Sequence, residues 1–341
     1  MKNRVGLYLP FGGFVVLLGL YTGYWFYAKS RIQSELAAWM DSQVAAGYSI
    51  EQELIRVSGF PYRFAVEINA LAIDAPAADG DWSAEIETIT AHAMPFNLAH
   101  WIIQFDGTSR LNTVSDTNCT YEWVSDKTLL SIRTNRRGVT QSVGAEIENL
   151  SITTIEGEQA QLESIERVVF NAMLDDDDHM RARMSVSGVT AEETRLDPRM
   201  IQAFGTRIDT VDLDIAVSAW SALAQQGDVL DWHRSNGSIR IENASLGWGP
   251  AQLSGNGDLA VDARALPEGR ISVRITDPEA LAEALVNGGI VAEGNPEEAL
   301  RLATMMAPRS PEGVSLPLRI QAGAVYFGPV RLGTLVDEEA R

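Results

Sequence analysis

The sequence predicts a mainly β protein with a few helices (α+β): an N-terminal transmembrane helix, then an extended, curved antiparallel sheet built of repeated hairpins. Three observations carry this prediction. Residues 5–28 form an uncharged apolar run. Beyond Gly47 the apolar residues recur with a period of two, the mark of strands with one buried face. A strand–turn–strand pattern also returns along the chain.

The first element is the anchor. As a helix, residues 5–28 span roughly 36 Å, enough to cross a hydrocarbon core of about 30 Å. Lys2 and Arg4 precede the run and Lys29 and Arg31 follow it. Tyr21, Tyr24, Trp25, Phe26 and Tyr27 crowd its C-terminal end, where an aromatic belt belongs. A cleaved signal peptide needs a shorter apolar core and small residues before the cut, and Phe26 stands three residues before a cut after Ala28. The anchor is therefore expected to remain. Residues 1–4 are expected to be a cytoplasmic tail, with the C-terminal domain on the far side of a membrane that the chain crosses once.

Residues 29–47 come next. Ile32, Leu36, Met40 and Val44, with Trp39 beside them, make one apolar stripe on a helix that Gly47 ends. The β-rich domain fills residues 48–341, with 48–200 and 201–341 as candidate halves. Phe64, Val66 and Ile68 alternate, and Leu71 and Ile73 continue on the opposite parity, which predicts a bulge near Asn69-Ala70. Val211 to Val217, Ile239 with Ile241, and Ile271 to Ile275 read as further half-buried strands.

Ile147-Glu148-Asn149-Leu150-Ser151 followed by Ala160-Gln161-Leu162 matches Ile241-Glu242-Asn243-Ala244-Ser245 followed by Ala251-Gln252-Leu253. A looser copy runs from Ile68-Asn69-Ala70-Leu71 to Trp82 and Ile86. Hairpins that bury no face alone must stack into one sheet. Asp277-Pro278-Glu279 starts a helix closed by Gly288-Gly289, Asn295-Pro296 starts another ending before Pro308, and Trp220 to Gln226 is a third. A last β segment covers residues 314–335.

Composition narrows function. With 45% hydrophobic residues the 341-residue chain supports a folded core. A formal charge of −19 excludes nucleic acid as a partner and opposes broad electrostatic docking on anionic lipid. Cys119 is the single cysteine, so no intramolecular disulfide forms and a small buried residue is expected. Sequons at Asn118, Asn149, Asn236 and Asn243 read as chance matches in a chain without disulfides.

His92, His100, His179 and His233 stand in no zinc-binding spacing, and no nucleophile elbow, phosphate loop or dinucleotide fingerprint occurs. No catalytic residue, metal or cofactor is assigned. Asp175 to Asp178 lack the alternating ligands and glycine of a calcium loop and read as solvated. Asp212 and Asp214 share the wet face of an amphipathic strand. Gly59-Phe60-Pro61-Tyr62-Arg63-Phe64 is the most distinctive local string, a strand entry pinned by aromatic packing.

With these segments in view, the chain resembles the bacterial envelope family catalogued as domain of unknown function 2125. The likeness rests on the anchor, residues 58–64, Pro95-Phe96-Asn97-Leu98, residues 253–259 and residues 323–329. It implies the topology and transfers no catalytic residue. More distantly, the Gly-rich strand–turn–strand units resemble AsmA-like envelope proteins, which implies a long curved sheet with an apolar groove and a role in phospholipid movement. The expected function is thus binding of a lipid or other apolar ligand in the sheet, without catalysis. The alternative is an envelope scaffold that binds other proteins through a sheet edge.

Overall fold

The computed structural model describes residues 5–114, 118–175, 178–226, 228–290, 309–310 and 313–335. Anchor and amphipathic stripe form one unbroken helix, α1 (Val5–Ala45). It ends in a Schellman motif: Tyr48 N–H donates to Gln43 O, Gly47 N–H donates to Val44 O, and Gly47 takes φ +99°. The chain divides into two compact units, residues 1–124 with 129–138 and 154–158, and residues 125–128 with 139–153 and 159–341.

In the first unit α1 is followed by β1 (Ser49–Glu51), β2 (Leu54–Ser58), β3 (Phe64–Asp74), β4 (Trp82–Met94), β5 (Asn97–Val114) and β6 (Asn118–Val124). β1 and β2 line one edge of β3 in succession, while β4, β5 and β6 add antiparallel strands on its other side. Val57, Val66 and Ala91 stand in register, as do Ile55, Ile68 and Ile89. The core lies where α1 meets this face: Trp25, Ala28, Val57, Phe64 and Val66 are buried, with Ile32, Leu36 and Trp101 packed around them. Val44 and Trp39, at the far end of the stripe, stay exposed.

β7 (Lys127–Thr134) and β8 (Thr140–Glu156) contribute residues to both units. The second unit continues with β9 (Leu162–Leu174), β10 (Met180–Ala191), α2 (Pro198–Phe204) and β11 (Arg207–Val217). Next come α3 (Trp220–Gln226), α4 (Val229–Arg234), β12 (Ile239–Trp248), β13 (Ala251–Val261), β14 (Pro267–Ile275) and α5 (Pro278–Asn287). β15 (Arg309–Ser310), β16 (Gly313–Gln321), β17 (Ala324–Phe327) and β18 (Val330–Thr334) complete it. From β8 to β14, and on through β16 to β18, each strand pairs antiparallel with the next, and β15 joins the edge of β16.

Three of the four α-helices described in this unit start on aspartate caps. Asp197, Asp228 and Asp277 accept from Arg199 N–H, Leu230 N–H and Ala280 N–H. The expected helix over residues 295–307 lies outside the described residues. α2 and α4 went unread in the sequence, although Asp197-Pro198 carries the same signal as Asp277-Pro278.

The recurring pattern is a pair of hairpins with one shared irregularity. Ala70 in β3 has φ +50°, and Asn149 in β8 has φ +51°. A left-handed residue steps the chain by one, so Ile68 and Leu71, like Ile147 and Leu150, face the same side three residues apart. Two strands further on, Gly107 (φ +81°) and Gly188 (φ +62°) repeat the step beneath Glu87 and Glu166. The copy at Ile241 shows a bulge in its pairing with β13, between Ile241 and Ala244.

Candidate functional site

Two strings singled out in the sequence meet on α1. Gly59 has φ +103°, and its carbonyl accepts from both Tyr62 N–H and Arg63 N–H, closing the loop before β3. The Phe60–Pro61 bond within it is cis. Tyr21 Oη donates to Pro61 O, and Tyr24 Oη donates to Pro95 O at 2.6 Å, so the β4–β5 turn docks beside the loop. Trp25 stacks on Phe64 with centroids 5.0 Å apart and meets Phe60 edge-on at 5.3 Å. Phe64 is fully buried, whereas Tyr62, read as part of the aromatic packing, points outward and is 83% exposed. Arg63 is exposed as well.

Beyond this cluster the α1 stripe borders a groove of about 430 Å3 lined by Leu36, Met40 and Val44 on the helix and Ile50 and Ile55 on β1 and β2. The helix face read in the sequence thus covers the sheet at Ile32 and Leu36 and opens from it toward Val44.

A second apolar surface is in the second unit. Registers align the side chains of one face in rows that run across the strands. One row passes from Phe170 through Met184, Leu213, Ala244, Gly255 and Val273 to Leu316. Its neighbour passes from Ala172 through Ala182, Ile215, Ile241, Gly257 and Ile271 to Leu318. Every residue of these two rows is only half-buried. Burial concentrates at the strand ends. At one, Val217 and Trp232 are buried and Trp232 Nε1–H donates to Ser218 O at 2.8 Å. At the other, α2 and α5 pack through Ala203, Ala284 and Gly288 near buried Ala251, Ile275 and Val314. The middle of the face thus has capped ends and, among the described residues, no second layer that buries it.

The opposite face is wet. Asp212 accepts from Ser185 Oγ at 2.7 Å and Ser245 Oγ at 3.0 Å, and Asp214 pairs with Arg183. Lys127 bridges Glu146 and Glu148, and its hydrogen bond holds the Glu146 carboxyl below the usual range. Exposed pairs of this kind contribute little stability each, about 0–1 kcal/mol. Depressions of about 550 and 470 Å3 both border Arg270 and Arg319 on β14 and β16, a pair that sequence reading passed over.

The histidines are dispersed. His100 Nε2 lies 3.0 Å from Ser131 Oγ, His179 Nδ1 lies 3.5 Å from Asp175, and His233 Nδ1 lies 2.6 Å from Val261 O. Burial, with Arg63 adding to it, lowers the His92 pKa. Asp175 accepts from His179 N–H and Asp178 from Ser221 N–H, which ties both ends of the aspartate run to neighbouring backbone. Cys119 is buried against Gly157. Among the described residues, no three or more His, Cys, Asp or Glu side chains gather where they could hold a metal.

Compared with known families, residues 25–335 match the family described as an uncharacterized protein conserved in bacteria, DUF2125. No curated protein and no solved structure matches the chain. The chain belongs to the DUF2125 family, and its apolar helix anchors it in the bacterial inner membrane with the β domain in the periplasm.

Proposed function

We propose that this DUF2125 protein is a membrane-tethered binding module that holds an acyl chain, or a comparable apolar ligand, against the uncovered face of its sheet. One observation carries the reading: the rows through Leu213 and Ile215 cross the second unit without a covering layer among the described residues. A contiguous apolar face that stays half-buried, with no layer packed over it, is a candidate interaction site. Removing about 200 Å2 of apolar area from water contributes about 5 kcal/mol before the costs of association. An acyl chain suits the face because the rows are long, apolar and without a polar group to fix a head. The distant likeness to AsmA-like envelope proteins supports the same ligand class. The reading assigns no catalytic step.

Native mass spectrometry of the full-length protein, released gently from membranes, tests it. Phospholipid is expected to remain bound, and replacing Leu213 and Ile271 together by glutamate should remove it. A parent protein that carries no phospholipid would favour the envelope scaffold instead, with β18, paired only to β17 among the described strands, as the sheet edge on offer.

A further inference from the structure

We infer that the domain stands on its own membrane through an aromatic foot, in which the Phe60–Arg63 loop and the β4–β5 turn dip into the outer leaflet beside α1. The observations are geometric. Both segments are fastened to α1 at Tyr21 and Tyr24, within the last turns before the first charge at Lys29. Twenty helical residues from Val5 rise about 30 Å, the thickness of a hydrocarbon core, so Tyr24 lies at the outer boundary of the bilayer. Whatever is tied to Tyr21 and Tyr24 lies at that depth too.

The side chains presented there suit that depth and no other. Tyr62 is 83% exposed and Phe96 88%, and Met94 and Phe60 are about half exposed, all at one end of one unit. Left in water, these apolar tips have nothing to gain from extending away from the sheet. At a bilayer boundary they bury, and the Tyr62 hydroxyl meets headgroups. Arg63 and Lys29 flank the cluster where phosphates would lie. The net charge of −19 opposes attraction of the whole domain to an anionic surface, so contact is confined to these tips. The foot is independent of the apolar rows of the second unit and would hold even if those rows carry no ligand.

The test uses the full-length Cys119→Ser protein in phosphatidylcholine vesicles, spin-labelled at Asn97→Cys so that Phe96 and Tyr62 are intact. A second label at Ala78→Cys, exposed in the β3–β4 connection near the C-terminal end of α1, reports water. Collision rates with oxygen and with a water-soluble nickel chelate give depth. The oxygen-to-nickel ratio at Asn97 should exceed that at Ala78 several-fold, and should fall toward it in a Tyr62→Asp, Phe96→Asp variant. Nickel access at Asn97 equal to that at Ala78 would overturn the inference. So would shielding from both reagents, which would indicate that a protein surface covers the tips.

Discussion

Replacing Trp25 by alanine is expected to destabilise the full-length protein by about 3–5 kcal/mol, the range for deleting a buried large aromatic side chain. Trp25 is the point at which the membrane helix grips the sheet. It is 2% exposed, stacks on Phe64 and meets Phe26 and Phe60 edge-on. Its loss opens a cavity among Ala28, Val57, Phe64 and Val66, at the place where α1 packs on the sheet. Trp25→Phe should recover most of the stability. Trp25 Nε1 is buried with no hydrogen-bond partner among the described residues, so the indole contributes area and stacking, with a polar atom left unsatisfied. Urea unfolding of both variants in non-ionic detergent checks this. Parent-like stability of the alanine variant would mean that α1 and the sheet do not pack as described.

The second large effect is expected at Gly59. A Cβ there would sit 2.6 Å from Arg63 O, and φ +103° is unfavourable to any side chain. Gly59→Val should cost about 1–3 kcal/mol through backbone strain. Gly59→Ala should lose nearly as much, because the conflict begins at the first carbon. The same unfolding experiment decides it. A valine variant as stable as the parent that no longer retains lipid would make the loop a ligand site rather than a device for closing the fold.

How much of this was legible in the residues depends on whether the signal was local. The anchor, its aromatic belt and the Gly47 stop are written in consecutive residues, and the helix boundaries follow them. The parity switch at Ala70 was visible because Ile68 and Leu71 break alternation within one strand. β10 was not read, although Ala182, Met184 and Val186 alternate with Arg181, Arg183 and Ser185. Alanine and methionine carry weak strand preference, and register with Leu213 and Ile215 places them in the apolar rows. The outward turn of Tyr62 was likewise illegible. Its neighbours Phe60 and Phe64 pack on Trp25, and nothing in the string tells one aromatic from the next until α1 is beside it. The aspartates at 212 and 214 were readable as solvent-facing from their apolar neighbours alone, and their serine and arginine partners on adjacent strands agree.

Photo-crosslinking in intact cells tests most directly whether an acyl chain lies on the uncovered face of the second unit, as proposed. A benzoylphenylalanine placed at Ile271 projects from the apolar rows, and one at Arg183 projects from the wet face of the same sheet. Irradiation should attach phospholipid to the protein carrying the probe at Ile271 and leave the one at Arg183 unmodified. Equal labelling at the two positions, or protein adducts at Ile271 with no lipid, would contradict the account.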